Sequence, residues 1–155
     1  MLIEATDAHF ADLIAGRAPN GLAVAEGGVE SPAVLAMLRG LSAEVGGEFS
    51  PNAWMIVEAG EVVGLCSLVR TPYVGGTVMI GYGVAASRRQ RGIARRAVAD
   101  LLDWARGDHR VTTVVAETVI HNAASRRVLE ANGFARSGER EDDEDGDLHC
   151  WRISV

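Results

Sequence analysis

Residues 79–105 read MIGYGVAASRRQRGIARRAVADLLDWA. The start of this stretch closes a strand-like run, Thr77–Val84, with Met79 and Ile80 in its interior. The pattern then changes period. Ile93, Ala97, Leu101 and Ala105 recur every fourth residue, joined by Val98 and Leu102. That is the apolar face of a helix of about four turns, ending near Gly107. Between strand and helix stands RRQRGIA, residues 88–94, with arginines grouped around a glycine. The first N–H groups of a helix have no partner within it, and the helix dipole favours an anion there. Arginines in a first turn oppose that dipole unless a bound anion offsets them. Gly92 and Ala94 leave room for a phosphate near the backbone, and Arg88, Arg89 and Arg91 can add forked contacts. The competing reading is an ordinary solvated helix start.

Working outward, Leu2–Glu4 reads as a short strand. Asp7 can cap a helix running to about Ala15. Residues 16–33 read as loop, and Leu35, Leu38 and Leu41 mark a second helix over Val34–Leu41. Trp54–Val57 and Val62–Val69 read as strands joined by a hairpin turn, Glu58-Ala59-Gly60-Glu61. A further turn covers Thr71–Gly76. After the long helix, Val111–Ala116 is β-branched and apolar, the mark of a buried strand. Asn122 can cap a helix through Ala131, with Gly133 as its stop. Phe134–Ser137 and Leu148–Val155 complete the set across an acidic turn. The order predicts an α/β fold of the α+β type: a mixed, mainly antiparallel sheet of six to seven strands flanked by about four helices. The segment 77–116 forms a strand–helix–strand crossover. A chain of 155 residues fits one domain, 1–155.

Two motifs at this separation resemble the GCN5-related N-acetyltransferases, the GNAT superfamily. Arg89-Gln90-Arg91-Gly92-Ile93-Ala94 is similar to that family's acyl-CoA motif, Q/R-x-x-G-x-G/A. Residues 116–134, AETVIHNAASRRVLEANGF, resemble the signature of the ribosomal-protein alanine N-acetyltransferase-like branch. The likeness covers at least residues 54–155. It implies acetyl-CoA as co-substrate. Gly83 and Val84 would lie at a bulge in the central strand and pair with the pantetheine arm. Residues 89–95 (Arg89, Gln90, Arg91, Gly92, Ile93, Ala94 and Arg95) would hold the diphosphate. Asn122 and Ser125, three apart at one helix start, would reach the same crevice. A homodimer is common among similar proteins.

An amine attacking a thioester must lose a proton, and the developing oxyanion needs a donor. A backbone N–H near Val84 is the candidate donor. The family's usual base position falls on Met79 and its usual acid position on Leu129, and neither side chain transfers protons. Glu117 is the candidate replacement base, its alternative being a structural carboxylate. Tyr82 is a candidate acid or donor, or else a core aromatic. His121 reads as a surface residue, and Trp54, Trp104 and Trp151 as packing residues.

The net charge of −6 is local. Residues 139–147, EREDDEDGD, hold seven acids and one arginine, and the remaining chain balances fourteen acids against fourteen bases. This argues against a nucleic-acid surface and suits a cationic partner. The acceptor expected is a primary amine, either a protein N-terminus or a small cationic amine. The alternative is a non-catalytic acyl-CoA-binding or sensor domain. The sequence lacks GxxxxGK[ST] and the dinucleotide spacing G-x-G-x-x-G, which disfavours other phosphate binders. The four histidines show no ligand spacing, so no metal is expected. Two isolated cysteines, no secretion-like start and no membrane-length apolar run point to a cytoplasmic protein that does not engage membranes.

Overall fold

The computed structural model describes residues 1–70 and 75–155. Its strands are β1 (Leu2–Glu4), β2 (Ala23–Val24), β3 (Ala53–Glu58), β4 (Glu61–Leu68), β5 (Thr77–Val84), β6 (Thr113–Val119), β7 (Ala135–Asp142) and β8 (Gly146–Ser154). Its helices are α1 (Asp7–Ile14), α2 (Pro32–Gly46), α3 (Ile93–Gly107) and α4 (Ala123–Ala131). The sheet order is β1-β3-β4-β5-β6-β8-β7, with β2 pairing in parallel against β4. Only β5–β6 is parallel along the main path, so the sheet is mixed and mostly antiparallel, as the element order predicts.

Several boundaries differ from the sequence reading, each for a local reason. Among the described residues the sheet has seven strands along its main path, within the expected six to seven, and an eighth, β2, off that path. The extra one, β2, is two residues long, too short to show a period within the glycine-rich stretch 16–33. Thr6, not Asp7, caps α1: its hydroxyl accepts from the His9 N–H at 3.3 Å. Helix α2 extends past both ends of its leucine stripe, opened by a Ser31 cap and Pro32 in the first turn. Strand β6 starts two residues late, because the Thr112 N–H is engaged by the Gly76 carbonyl at 2.8 Å. Much of the acidic segment is strand: β7 reaches Asp142 and β8 begins at Gly146. Nearly every β7 side chain is exposed, so no apolar alternation marks it. Of the turn expected at Thr71–Gly76, residues 71–74 lie outside those described.

Alternation along β3 feeds two cores. Met55 and Val57 join Phe10 and Leu13 of α1 and Leu35 of α2. Trp54 and Ile56 join the other cluster, with Val98 and Leu101 of α3, Leu129 of α4 and Val78 and Ile80 of β5. Trp54 packs on Trp104 at 4.9 Å between centroids, as packing residues should. Trp151 is buried, its indole N–H donating to the Thr118 hydroxyl at 2.9 Å.

The centre of the sheet opens. β5 and β6 pair only over Thr77–Met79 against Thr113–Val115, among the described residues. Both strands continue, β5 to Val84 and β6 to Val119, each still held by its outer neighbour. Pairing of β5 with β4 runs unbroken from Leu68↔Ile80 to Gly64↔Val84, so the bulge expected at Gly83–Val84 is absent. Register shifts lie instead between β3 and β4, at Ile56/Val57, and between β7 and β8, at Arg136/Gly138.

Gly64 allows the close approach of β4 to β5. A Cβ there would sit 2.3 Å from the Gly83 carbonyl oxygen and 3.0 Å from Ile56 Cδ1. Backbone cannot yield as a side chain can. Gly64→Ala should cost about 1–3 kcal/mol, the scale of overpacking, read as a lower urea midpoint at unchanged m-value.

Candidate functional site

The opening between β5 and β6 leaves backbone groups without strand partners. The Val69 N–H donates to the Met79 carbonyl and the Ala85 N–H to the Val63 carbonyl, each at 2.8 Å. These two bonds fix the antiparallel alternation: Met79, Gly81 and Gly83 exchange bonds with β4. Tyr82 and Val84 therefore turn their N–H and C=O toward the opening. The Val84 carbonyl accepts from Arg89 Nε at 3.3 Å.

The segment leading into α3 folds back on itself. After a 3-10 turn at Ala86–Arg88, Gln90 and Gly92 take left-handed φ values of 61° and 72°. Gly92 is the N-cap of α3 and offers no side chain to the first-turn N–H groups. A Cβ on Gly92 would meet Arg96 Nη1 at 3.1 Å. Across the opening, the Asn122 side-chain carbonyl accepts from the Ser125 N–H at 3.0 Å and caps α4.

These pieces enclose a cavity of about 700 Å³, within the range of small-molecule sites. Gly83 and Val84 line it from β5. Arg89, Gln90, Gly92, Ile93, Ala94 and Arg95 line it from the mouth of α3, and Asn122 and Ser125 from α4. The Arg91 side chain does not face it, although the sequence groups it with the others. Arg88 and Arg127 contribute as well, which gives four arginines and no acid in a chain of net charge −6. Arg88 is neutralised by Glu61, with Nε–Oε1 at 2.7 Å and Nη2–Oε2 at 3.1 Å. That guanidinium holds the Glu61 carboxyl below its ordinary range. Arg96, one turn into α3, is engaged by Glu58 at 2.6 Å. Arg89, Arg95 and Arg127 have no acidic partner among the described residues and carry the positive field. The sequence reading missed Arg127. Its signal was helical spacing, since Ala124, Arg127, Val128 and Ala131 share one face of α4.

A second cavity, of about 170 Å³, lies beside the first, and Tyr82 and Gly83 line both. Its walls are chiefly apolar side chains of α2 and β4, with Ser67 and Glu30 the polar exceptions besides Tyr82. Among the described residues it is lined by one acid and no base. Gly81 and Gly83 present no side chain to it, and a Cβ on Gly83 would meet nothing within 4 Å.

Tyr82 stands at the junction. Its hydroxyl donates to the Ser125 carbonyl at 3.4 Å. Burial pushes its phenol upward, so it stays protonated through neutral pH. Glu117 lines neither cavity. Its carboxylate accepts from Arg140 Nε, and from Arg140 Nη2 at 3.1 Å, spanning from β6 to β7 across the intervening β8. Met79 is half-buried and Leu129 fully buried. Residues 139–147 and His121 line neither cavity, nor does Trp151. No group of three potential metal ligands exists among the described residues. No helix among them is long and apolar enough to cross a membrane.

A Bacillus subtilis (strain 168) protein, the uncharacterized N-acetyltransferase YjdG, is 29% identical over 85 residues, 54% of this chain and 51% of that one. The chain thus aligns over about half the length of this curated relative. Mycobacterium smegmatis RimJ, solved in complex with CoA-disulfide, matches at TM-score 0.65 and 27% identity, over 80% of this chain and 60% of the RimJ chain. The aminoglycoside acetyltransferase AAC(6')-Ib, solved with coenzyme A, matches at TM-score 0.74 and 19% identity, over 99% of this chain and 94% of the other; at that identity the likeness is one of fold. Residues 30–135, which hold the opened strand pair, the arginine-rich turn and the Asn122 cap, match the acetyltransferase (GNAT) domain family, and the chain belongs to it.

Proposed function

We propose that the protein is an N-acetyltransferase that moves the acetyl group of acetyl-CoA to a primary amine. The observation that carries this reading is the pair of adjoining cavities with opposite character. Among the described residues, one is rimmed by four arginines, three of them without an acidic partner, and by no acid; the other is apolar and has one acid. An anionic donor and a cationic acceptor would each find a matching half, and Tyr82–Gly83 is where they would meet. RimJ and AAC(6')-Ib, both solved with CoA species, support the same donor. The likeness of residues 116–134 to the ribosomal-protein-like branch favours a protein N-terminus as acceptor, and the single acid favours a small cationic amine.

The residues present fit the donor. Arg89, Arg95 and Arg127, with the uncapped first turn of α3, suit a diphosphate. The free edge at Tyr82 and Val84 suits an amide-bearing arm laid alongside β5 as an added strand. Acetyl-CoA supplies the acyl group as a thioester: the amine nitrogen bonds to the carbonyl carbon, the C–S bond breaks, and the proton the nitrogen sheds balances the departing thiolate. The Val84 N–H points into the opening and is the donor for the developing oxyanion. Tyr82, kept protonated by burial, serves as a hydrogen-bond donor or acid toward the sulfur. Glu117 is the remaining candidate base. Its bidentate tie to Arg140 favours its other role, fastening β7 to β6. The substrate ammonium then loses its proton to solvent through the acceptor cavity.

Gly92→Asp should weaken acetyl-CoA binding at least about a hundredfold in calorimetric titration, through like charge and lost space at the helix mouth. Far-UV dichroism should show the fold retained. Unchanged affinity in folded G92D protein would remove the diphosphate from this turn. Under the solvent-deprotonation scheme, kcat/KM should rise with pH in step with the free-amine fraction, and Glu117→Gln should keep that profile while lowering the melting temperature. A limb near neutrality that disappears in E117Q would restore Glu117 as the base.

A further inference from the structure

The cavity on the α2 side carries more information than the presence of an amine site. Val34, Leu38 and Leu41 from α2 line it together with Leu65 of β4 and Val69 just beyond that strand. Its volume, about 170 Å³, compares with the roughly 150 Å³ of an apolar protein cavity that accepts benzene. The space exists because β5 carries glycine at both positions below it, Gly81 and Gly83.

Two polar groups interrupt this lining. Ser67 is 5% exposed, and its hydroxyl has no hydrogen-bond partner among the described residues. On an otherwise apolar wall that hydroxyl gives a ligand a directional point for a hydrogen bond. Glu30 stands at the entrance to α2. One of its carboxylate oxygens accepts from the Ser31 N–H at 3.0 Å, and Ser31 in turn caps α2 through the Val34 N–H at 3.3 Å. Glu30 is exposed at the cavity rim, and its second carboxylate oxygen has no partner among the described residues. It is the one acid on the cavity wall.

We infer that the acceptor is a primary amine carrying one positive charge on a compact apolar body, with Glu30 holding the ammonium and Ser67 the second hydrogen-bonding point. The inference rests on the transferase reading above. Polyamines and aminoglycosides carry several ammonium groups, and each additional one would enter an apolar space without a counter-charge. The acidic residues 139–147 cannot supply one, since they line neither cavity. Glu30 and Ser67 are specificity residues of the acceptor half and should not influence the donor half.

The test reads thiol release from the full chain at saturating acetyl-CoA, with phenethylamine, spermidine, kanamycin and a short peptide with N-terminal alanine as acceptors. Phenethylamine should give the highest kcat/KM, at least about tenfold above the others. Glu30→Gln should raise the KM for phenethylamine about tenfold, the scale of one charge-assisted hydrogen bond. Ser67→Ala should raise it less, and both variants should keep the KM for acetyl-CoA. Preference for spermidine, kanamycin or the peptide, or an unchanged phenethylamine KM in E30Q, overturns the inference and leaves the transferase standing. No thiol release with any acceptor, from protein that binds acetyl-CoA in calorimetry, overturns the transferase reading and this inference with it.

Discussion

The structure depends on a sheet that stops pairing at its own centre. Beyond Met79↔Val115 the strands β5 and β6 part, although an interior strand ordinarily satisfies both of its edges. The parting persists because neither strand relies on the other. β5 stays in register with β4 as far as Val84, and β6 stays in register with β8 as far as Val119. The backbone of Tyr82 and Val84 is thus set against a gap by two intact half-sheets, which is a rigid way to present unpaired amides. The Arg89 contact to the Val84 carbonyl shows that this edge takes whatever donor is near.

Charge is sorted around the gap. The chain is acidic, yet the cavity at the α3 mouth has only arginines. The β3–β4 hairpin contributes to this by binding the arginines that flank the mouth: Glu61 takes Arg88 and Glu58 takes Arg96. Those pairs anchor the loop and leave Arg89, Arg95 and Arg127 to face the opening. A local cluster of like charge is thereby held rigidly without being quenched.

What was legible in the sequence followed from periodicity. The stripe from Ile93 to Ala105 and the strand Thr77–Val84 have the bounds the pattern gives, the helix because it buries a full face and the strand because Val78 and Ile80 sit in the core. The Asn122 cap and the Gly133 stop are local chemistry and read equally well. The outer half of strand β7, beyond the expected Ser137, was hidden, since an edge strand with nearly every side chain exposed carries no apolar alternation. The acidic segment looked like an acceptor surface because charge is visible in a sequence and distance is not. Glu30 escaped notice for the converse reason: a single carboxylate in a loop means nothing until α2 and β4 form an apolar cavity beside it. Arg140 likewise gave no sign that it would reach Glu117 across a whole strand.

The last strand of the order, β7, has further meaning. It ends the sheet with an unpaired edge eight residues long, and such edges invite other chains to add on. Here the edge and its turn carry Glu139, Glu141, Asp142, Asp143, Glu144 and Asp145. A second copy approaching edge to edge would bring the same acids against them, and like charges on facing strands repel. Acids at that edge give the sheet a charged margin, one of the ways in which proteins keep an exposed edge from templating further strands.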